Sequence, residues 1–177
     1  MSNYITSNFS NLIFSCSVPS QWHMEHRVTD HCVVFVRQGK LLISDKGRTE
    51  EIPAGSCVFL KKDCSVRLVK ASFAGKNYEG LNIRLPQNIL EDYFQRHLKN
   101  NEFSQDFTGL SNCFMRLNRT LCLQGLLSSI ILFVEEGQDP GQKMTELKVE
   151  ELILDLLQTN IRFFPTLFDF YRDWNVD

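Results

Sequence analysis

The chain has 177 residues, 43% of them hydrophobic and 23% charged, with a formal net charge of −2. That length suits one domain, or a barrel with a helical appendix, and is enough to bury a sizeable core. The near-even charge balance argues against a nucleic-acid interface in this segment, because phosphate binding needs clustered Lys and Arg.

In chain order, residues 1–11 are polar and read as an extended lead-in. Leu12 to Cys16 is a first strand, which Val18-Pro19-Ser20 breaks. From Trp22 to Val28 the alternation places Trp22, Met24, His26 and Val28 on one face and His23, Glu25 and Arg27 on the other. Cys32 to Val36 is apolar throughout, as in a strand covered on both faces. Lys40–Asp45, Arg48–Ile52, Cys57–Leu60, Val66–Ala71 and Tyr78–Leu85 follow, separated by Gln38-Gly39, Lys46-Gly47, Pro53-Ala54-Gly55 and polar loops. Short runs punctuated by Gly, Pro and Asp predict antiparallel strands with tight turns. Roughly eight strands close or nearly close a small barrel.

At Pro86 the period changes. Pro suits a helix's first turn, and Ile89, Leu90, Tyr93, Phe94, His97 and Leu98 form one stripe, with Asn100 and Asn101 ending it. An irregular connection follows, pinned by Phe103, Phe107 and Leu110. Phe114 to Leu117 reads as a short strand, and Thr120 as the N-cap of a helix running to about Glu136. Gly137 to Gly141 interrupts it, and Gln142 to Thr159 carries a second helix on Met144, Leu147, Leu154 and Leu157. Leu152, Ile153 and Leu156 broaden that stripe. Two helices on a short loop predict an antiparallel hairpin.

The stretch from His31 to Ala71 resembles the cupin-like N-terminal domain of AraC-type bacterial transcription regulators. The shared features are His31 opening an apolar strand, Gly39 closing it, a Lys-Leu-Leu-Ile return strand, a turn at Gly47, and Pro-Ala-Gly ahead of Val58-Phe59-Leu60. The aromatic tail, with Phe-Phe-Pro-Thr-Leu-Phe-Asp-Phe, is similar to the segment leading into the helix-turn-helix domain of one subgroup. The resemblance implies a mainly β fold with C-terminal helices: a cupin-like antiparallel β-barrel over 1–85, a helical dimerisation region over 86–159, and the start of a linker over 160–177. It also implies a chain trimmed at a domain boundary, with the DNA reader absent.

Barrels of this family often hold a metal through His and Glu. Here Val33 stands where His-x-His would put its second His, and Val58 replaces the later one, so no metal and no other cofactor is expected. His23 and His26 point to opposite faces. His97 lies on an apolar helix stripe. The six cysteines (16, 32, 57, 64, 113 and 122) show no C-x-x-C, and those within strands read as small hydrophobes. Cys64, in a polar turn, is the accessible one. No phosphate-binding or hydrolase motif is present, so no catalytic residue is assigned.

The basic cluster Lys61, Lys62, Arg67 and Lys70 reads as a solvated sheet edge, or alternatively as a contact for DNA backbone or the missing domain. For an effector, the barrel mouth with Trp22, His31, Phe35, Phe59 and Arg84 is the expected pocket, with packed core as the alternative. The effector is an unknown small molecule or protein. Surplus apolar surface on the last helix predicts a homodimer through Leu147, Glu151, Leu154 and Leu157. The amino terminus lacks a basic segment followed by an apolar core, and Leu126 to Val134 is too short to span a bilayer. A cytoplasmic regulatory domain with no membrane contact is therefore expected. The competing readings are a stand-alone cupin enzyme, an isomerase or dioxygenase, and a binding-only module.

Overall fold

The computed structural model describes residues 4–99 and 108–170. Ten strands and the helices among them build three layers. One sheet runs β1 (Tyr4–Phe9), β2 (Ile13–Val18), β9 (Tyr78–Leu85), β4 (His31–Gln38), β7 (Cys57–Leu60), β10 (Phe114–Arg116). The other runs β3 (Trp22–Arg27), β8 (Ser65–Ala71), β5 (Lys40–Asp45), β6 (Arg48–Pro53). All pairings are antiparallel. The barrel is thus a pair of sheets with ten strands among the described residues, where roughly eight and the short strand at Phe114 were expected; β1 is the addition.

The six-stranded sheet is covered on both faces, which is why β4 and β7 lack polar alternation. Cys32, Val34, Val36, Val58 and Leu60 face the second sheet and meet Leu41, Ile43, Ile52, Val66 and Leu68 there. Val33, Phe59, Leu81 and Ile83 face a helical layer of α1 (Gln87–His97), α2 (Leu121–Glu136), α3 (Gln142–Thr159) and α4 (Phe163–Leu167). The strand and helix regions therefore share one core. Thr120 caps α2 by accepting from the Leu123 N–H at 2.9 Å, and donates its hydroxyl to the buried Asp155 of α3 at 2.8 Å. One threonine both starts a helix and ties it to its neighbour.

Two expected segments differ. The polar lead-in contains β1, paired to β2 through Ser10 and Asn11, both at positive φ (53° and 56°). That is the geometry of a tight hairpin turn, reached without the usual glycine. The expected linker from residue 160 is packed protein as far as Phe170: Phe163 and Leu167 are fully buried, with Phe168 and Phe170 beside them. An aromatic stretch that finds partners gains more from burial than from solvation. Of the expected connection, Phe103 and Phe107 lie outside the described residues, as do Asn100 and Asn101, while Leu110 packs on the core.

Candidate functional site: the cavity between the sheets

The strands part at one end to leave a cavity of about 250 Å³. Its walls come from both sheets: Phe14 and Cys16 of β2, Met24 and His26 of β3, Cys32 and Val34 of β4, Leu41, Leu60, Leu68 and Lys70, then Asn82 and Arg84 of β9. Strand alternation explains the choice. Cys32 and Val34, or Asn82 and Arg84, are two residues apart and so emerge on the same face. At the mouth the Arg84 guanidinium pairs with Asp30 at 2.5 Å and donates to the Asn11 carbonyl at 3.0 Å.

Lys70 is the residue that sequence proximity misplaced. Only 5% exposed, it stands inside the cavity and not on a solvated edge. The signal was available, since Val66, Leu68 and Lys70 share one face of β8 while Ser65 and Arg67 share the exposed one. The other three cations of the cluster also find partners. Lys61 donates to the Leu110 carbonyl, Lys62 pairs with Asp169 at 2.9 Å, and Arg67 pairs with Glu25 at 2.6 Å.

The five residues expected at a barrel mouth do not converge. Arg84 lines the cavity, and Trp22 packs partly buried on the core between the sheets, with the Lys70 ammonium 5.2 Å from its ring. His31, Phe35 and Phe59 instead face the helical layer, because odd positions of β4 and β7 point away from the second sheet. Phe35 lines a separate groove against α2 with Leu123, Leu127 and Ile131. His31 stacks on Phe59 at 5.5 Å, and Phe59 meets Phe163 of α4 edge-on at 5.0 Å. The His31 ring accepts from the Lys62 N–H through Nδ1 at 3.1 Å. Burial, with the Lys62 ammonium beside it, pushes His31 down to about 4, outweighing Asp169, so the ring is neutral at pH 7.

The thiols divide by surroundings. Burial pushes Cys32 and Cys57 up to about 12, so both are inert hydrophobes. Cys64 is half-buried rather than open, and Cys122 on α2 is exposed. On α3 the core takes Val149, Leu152, Ile153 and Leu156, while Leu147 (49% exposed) and Leu154 (47%) face outward with Glu151 between them. Leu157 departs from that set and packs partly on the core. No helix among the described residues is long and apolar enough to cross a membrane.

Solved structures share this architecture. Apo ToxT K231A from Vibrio cholerae superposes with a TM-score of 0.61 at 12% identity, over 86% of this chain and 58% of that one. ToxT with a bound unsaturated fatty acid gives 0.56 at 13% identity, over 81% of this chain and 52% of that one. ToxT from strain O395 bound to (E)-4-(8-methylnaphthalen-1-yl)but-3-enoic acid gives 0.52 at 12%, over 81% and 56%. This chain thus spans little more than half the length of the structures it matches. No curated protein sequence matches it. The fold is the one these ToxT structures share. More particularly, the chain belongs to the family of the ExsA N-terminal regulatory domain, whose model matches residues 31–163.

Proposed function

We propose that this domain senses a small, largely apolar effector between its two sheets, holds two copies of the regulator together, and so controls a helix-turn-helix DNA reader carried elsewhere in the protein. It would act in the cytoplasm, without metal, cofactor or catalysis. The observation that carries this reading is the cavity itself, walled by side chains of both sheets and lined mainly by apolar groups. The acids bound in the ToxT structures support the same use of the same fold.

The path from cavity to helices is short. In β4, Cys32 and Val34 touch the cavity while His31 and Val33 touch the helical layer, so any shift of that strand is felt on both sides. The His31–Phe59–Phe163 stack and the Lys62–Asp169 pair connect it to α4 and the residues after it. An effector preferring one placement of β4 would bias where the DNA readers sit, by no more than its differential affinity for the two placements. We place dimerisation on the outward face of α3, where Leu147, Glu151 and Leu154 follow one another at i, i+4 and i+7.

In the full-length regulator, an effector that occupies the cavity should change promoter affinity, read by fluorescence anisotropy. Leu147→Asp combined with Leu154→Asp should convert a sedimenting dimer of this chain to monomer. Wild-type chain that sediments as a monomer at high micromolar concentration would remove the dimerisation role. Promoter affinity indifferent to every cavity-filling ligand would remove the sensing role.

A further inference from the structure

A second opening, of about 490 Å³, lies on the opposite face of the six-stranded sheet, between the turn joining β6 to β7 and the helix α2. It shares no wall residue with the cavity between the sheets. Phe35 and Cys57 reach it because they stand one residue out of step with Val34 and Val58, whose side chains face the other way.

Two guanidiniums converge at one end of this groove. Arg116, at the end of β10, donates through Nη2 to Ser56 Oγ at 2.9 Å. The preceding residue, Gly55, has a positive φ of 85°, and Arg119 Nη1 comes within 3.8 Å of the place where a Cβ would stand on it. No carboxylate among the described residues pairs with either arginine. The Asp155 carboxylate, whose field reaches Cys57 together with that of Arg119, is already bonded by the Thr120 hydroxyl. Helix α2 begins directly after Arg119 and Thr120, and its first turn carries no acidic residue, so the positive end of its dipole adds to the same field. Two guanidiniums held together repel, and a dianion between them relieves both. Their planar forks match a phosphate better than any single carboxylate, which would leave one of them unmatched.

The rest of the groove is of mixed character. Leu123, Leu127 and Ile131 follow one another at i, i+4 and i+8 along α2 and line it with Phe35. Beside that stripe runs a second row, Gln124 and Ser128, whose side chains make no hydrogen bond among the described residues. An apolar stripe flanked by free amide and hydroxyl groups fits a flat ring with polar edges.

We propose that this groove binds a nucleoside monophosphate, its phosphate held by Arg116 and Arg119 and its base lying between Phe35 and α2, with the ring edge bonded to Gln124 and Ser128. The volume falls within the range of small-molecule sites, about 300–1,000 Å³. Two arginines serve one phosphate and not a run of them, so the occupant is the free nucleotide and not a nucleic-acid strand. The site stands apart from the effector cavity and does not depend on it.

The test is calorimetric titration of the chain with AMP, adenosine, ribose 5-phosphate and inorganic phosphate at pH 8, where the phosphate is dianionic. AMP should bind more tightly than adenosine by about tenfold or more, the usual worth of a hydrogen bond between charged groups. It should exceed ribose 5-phosphate by a similar factor, the worth of stacking one base. Arg116→Gln and Arg119→Gln should each bring AMP to within about threefold of adenosine. Both side chains are exposed, so the fold should survive either change, which an unchanged melting temperature checks. Gln124→Leu should weaken AMP and leave ribose 5-phosphate as it was. Adenosine binding as tightly as AMP would overturn the phosphate seat, and ribose 5-phosphate or inorganic phosphate binding as tightly as AMP would overturn the base seat. An AMP affinity unchanged in both arginine variants would reject the groove as its site. No AMP binding at millimolar concentration would overturn the proposal and leave the sensing cavity standing.

Discussion

The two faces of the six-stranded sheet carry different kinds of interior. Toward the helices the core is rich in aromatics: Phe59 meets Phe163 at 5.0 Å between ring centroids, and Phe168 meets Phe94 and Phe164 at 5.5 and 5.3 Å, beside the groove between Phe35 and α2. Toward the second sheet the interior is aliphatic at its centre but opens into a cavity lined by Lys70 and the Cys16 thiol among apolar side chains. Dense packing resists volume change, so the first face behaves as a rigid frame. Among the described residues each face keeps one buried polar atom without a hydrogen-bond partner, His31 Nε2 on the helical side and the Tyr78 hydroxyl on the other. On the proposed function, recognition of the effector falls on the second-sheet face, and β4 contributes residues to both faces.

That contrast can be broken at three points. The largest effect should come from Phe163→Ala, which empties the centre of the helix-side core and should cost about 3–5 kcal/mol of unfolding free energy in urea titration. A loss below 1 kcal/mol would mean that α4 docks only loosely. Next is the pH response of His31. Its folded-state value lies near 4, below the ordinary 6.5, so the unfolded chain binds the extra proton between those two values. Stability is then full above about pH 6.5 and declines as pH falls toward 4, by at most about 3 kcal/mol. His31→Gln should flatten the part of the urea-midpoint profile that lies in this window.

The smallest effect distinguishes function from architecture most sharply. Lys70→Met replaces a buried ammonium by an apolar chain of similar length, and should raise thermal stability by about 1 kcal/mol, because the desolvation cost disappears. A cavity residue whose removal stabilises the domain is one retained for binding. A clear loss of melting temperature would instead make Lys70 a structural strut.

Much of this molecule was legible before its three-dimensional arrangement. Turn residues at Gly39, Gly47 and Gly55 set the strand limits closely, all three with positive φ. Thr120 was recognisable as an N-cap from its place ahead of an apolar run. The hairpin turn at Ser10–Asn11 was not, because it reaches positive φ without glycine. The aromatic tail looked like a linker because its partners, Tyr93 and Phe94, lie some 70 residues earlier. The barrel-mouth set of five residues mixed two faces: His31, Phe35 and Phe59 sit at positions of β4 and β7 that face the helices, while Arg84 sits at a position of β9 that faces the second sheet.

The sequence by itself determined most strand and helix positions, β1 and α4 excepted, together with the residue types Val33 and Val58 at the positions of metal ligands and the resemblance to a regulatory domain, since these depend on local turn chemistry, periodicity and residue type. Only the tertiary structure decided that Lys70 is interior, that His31 serves the helical layer, and that Phe163, Leu167, Phe168 and Phe170 are core. Each depends on which face of a strand is covered and by what, and that is set by elements far apart along the chain.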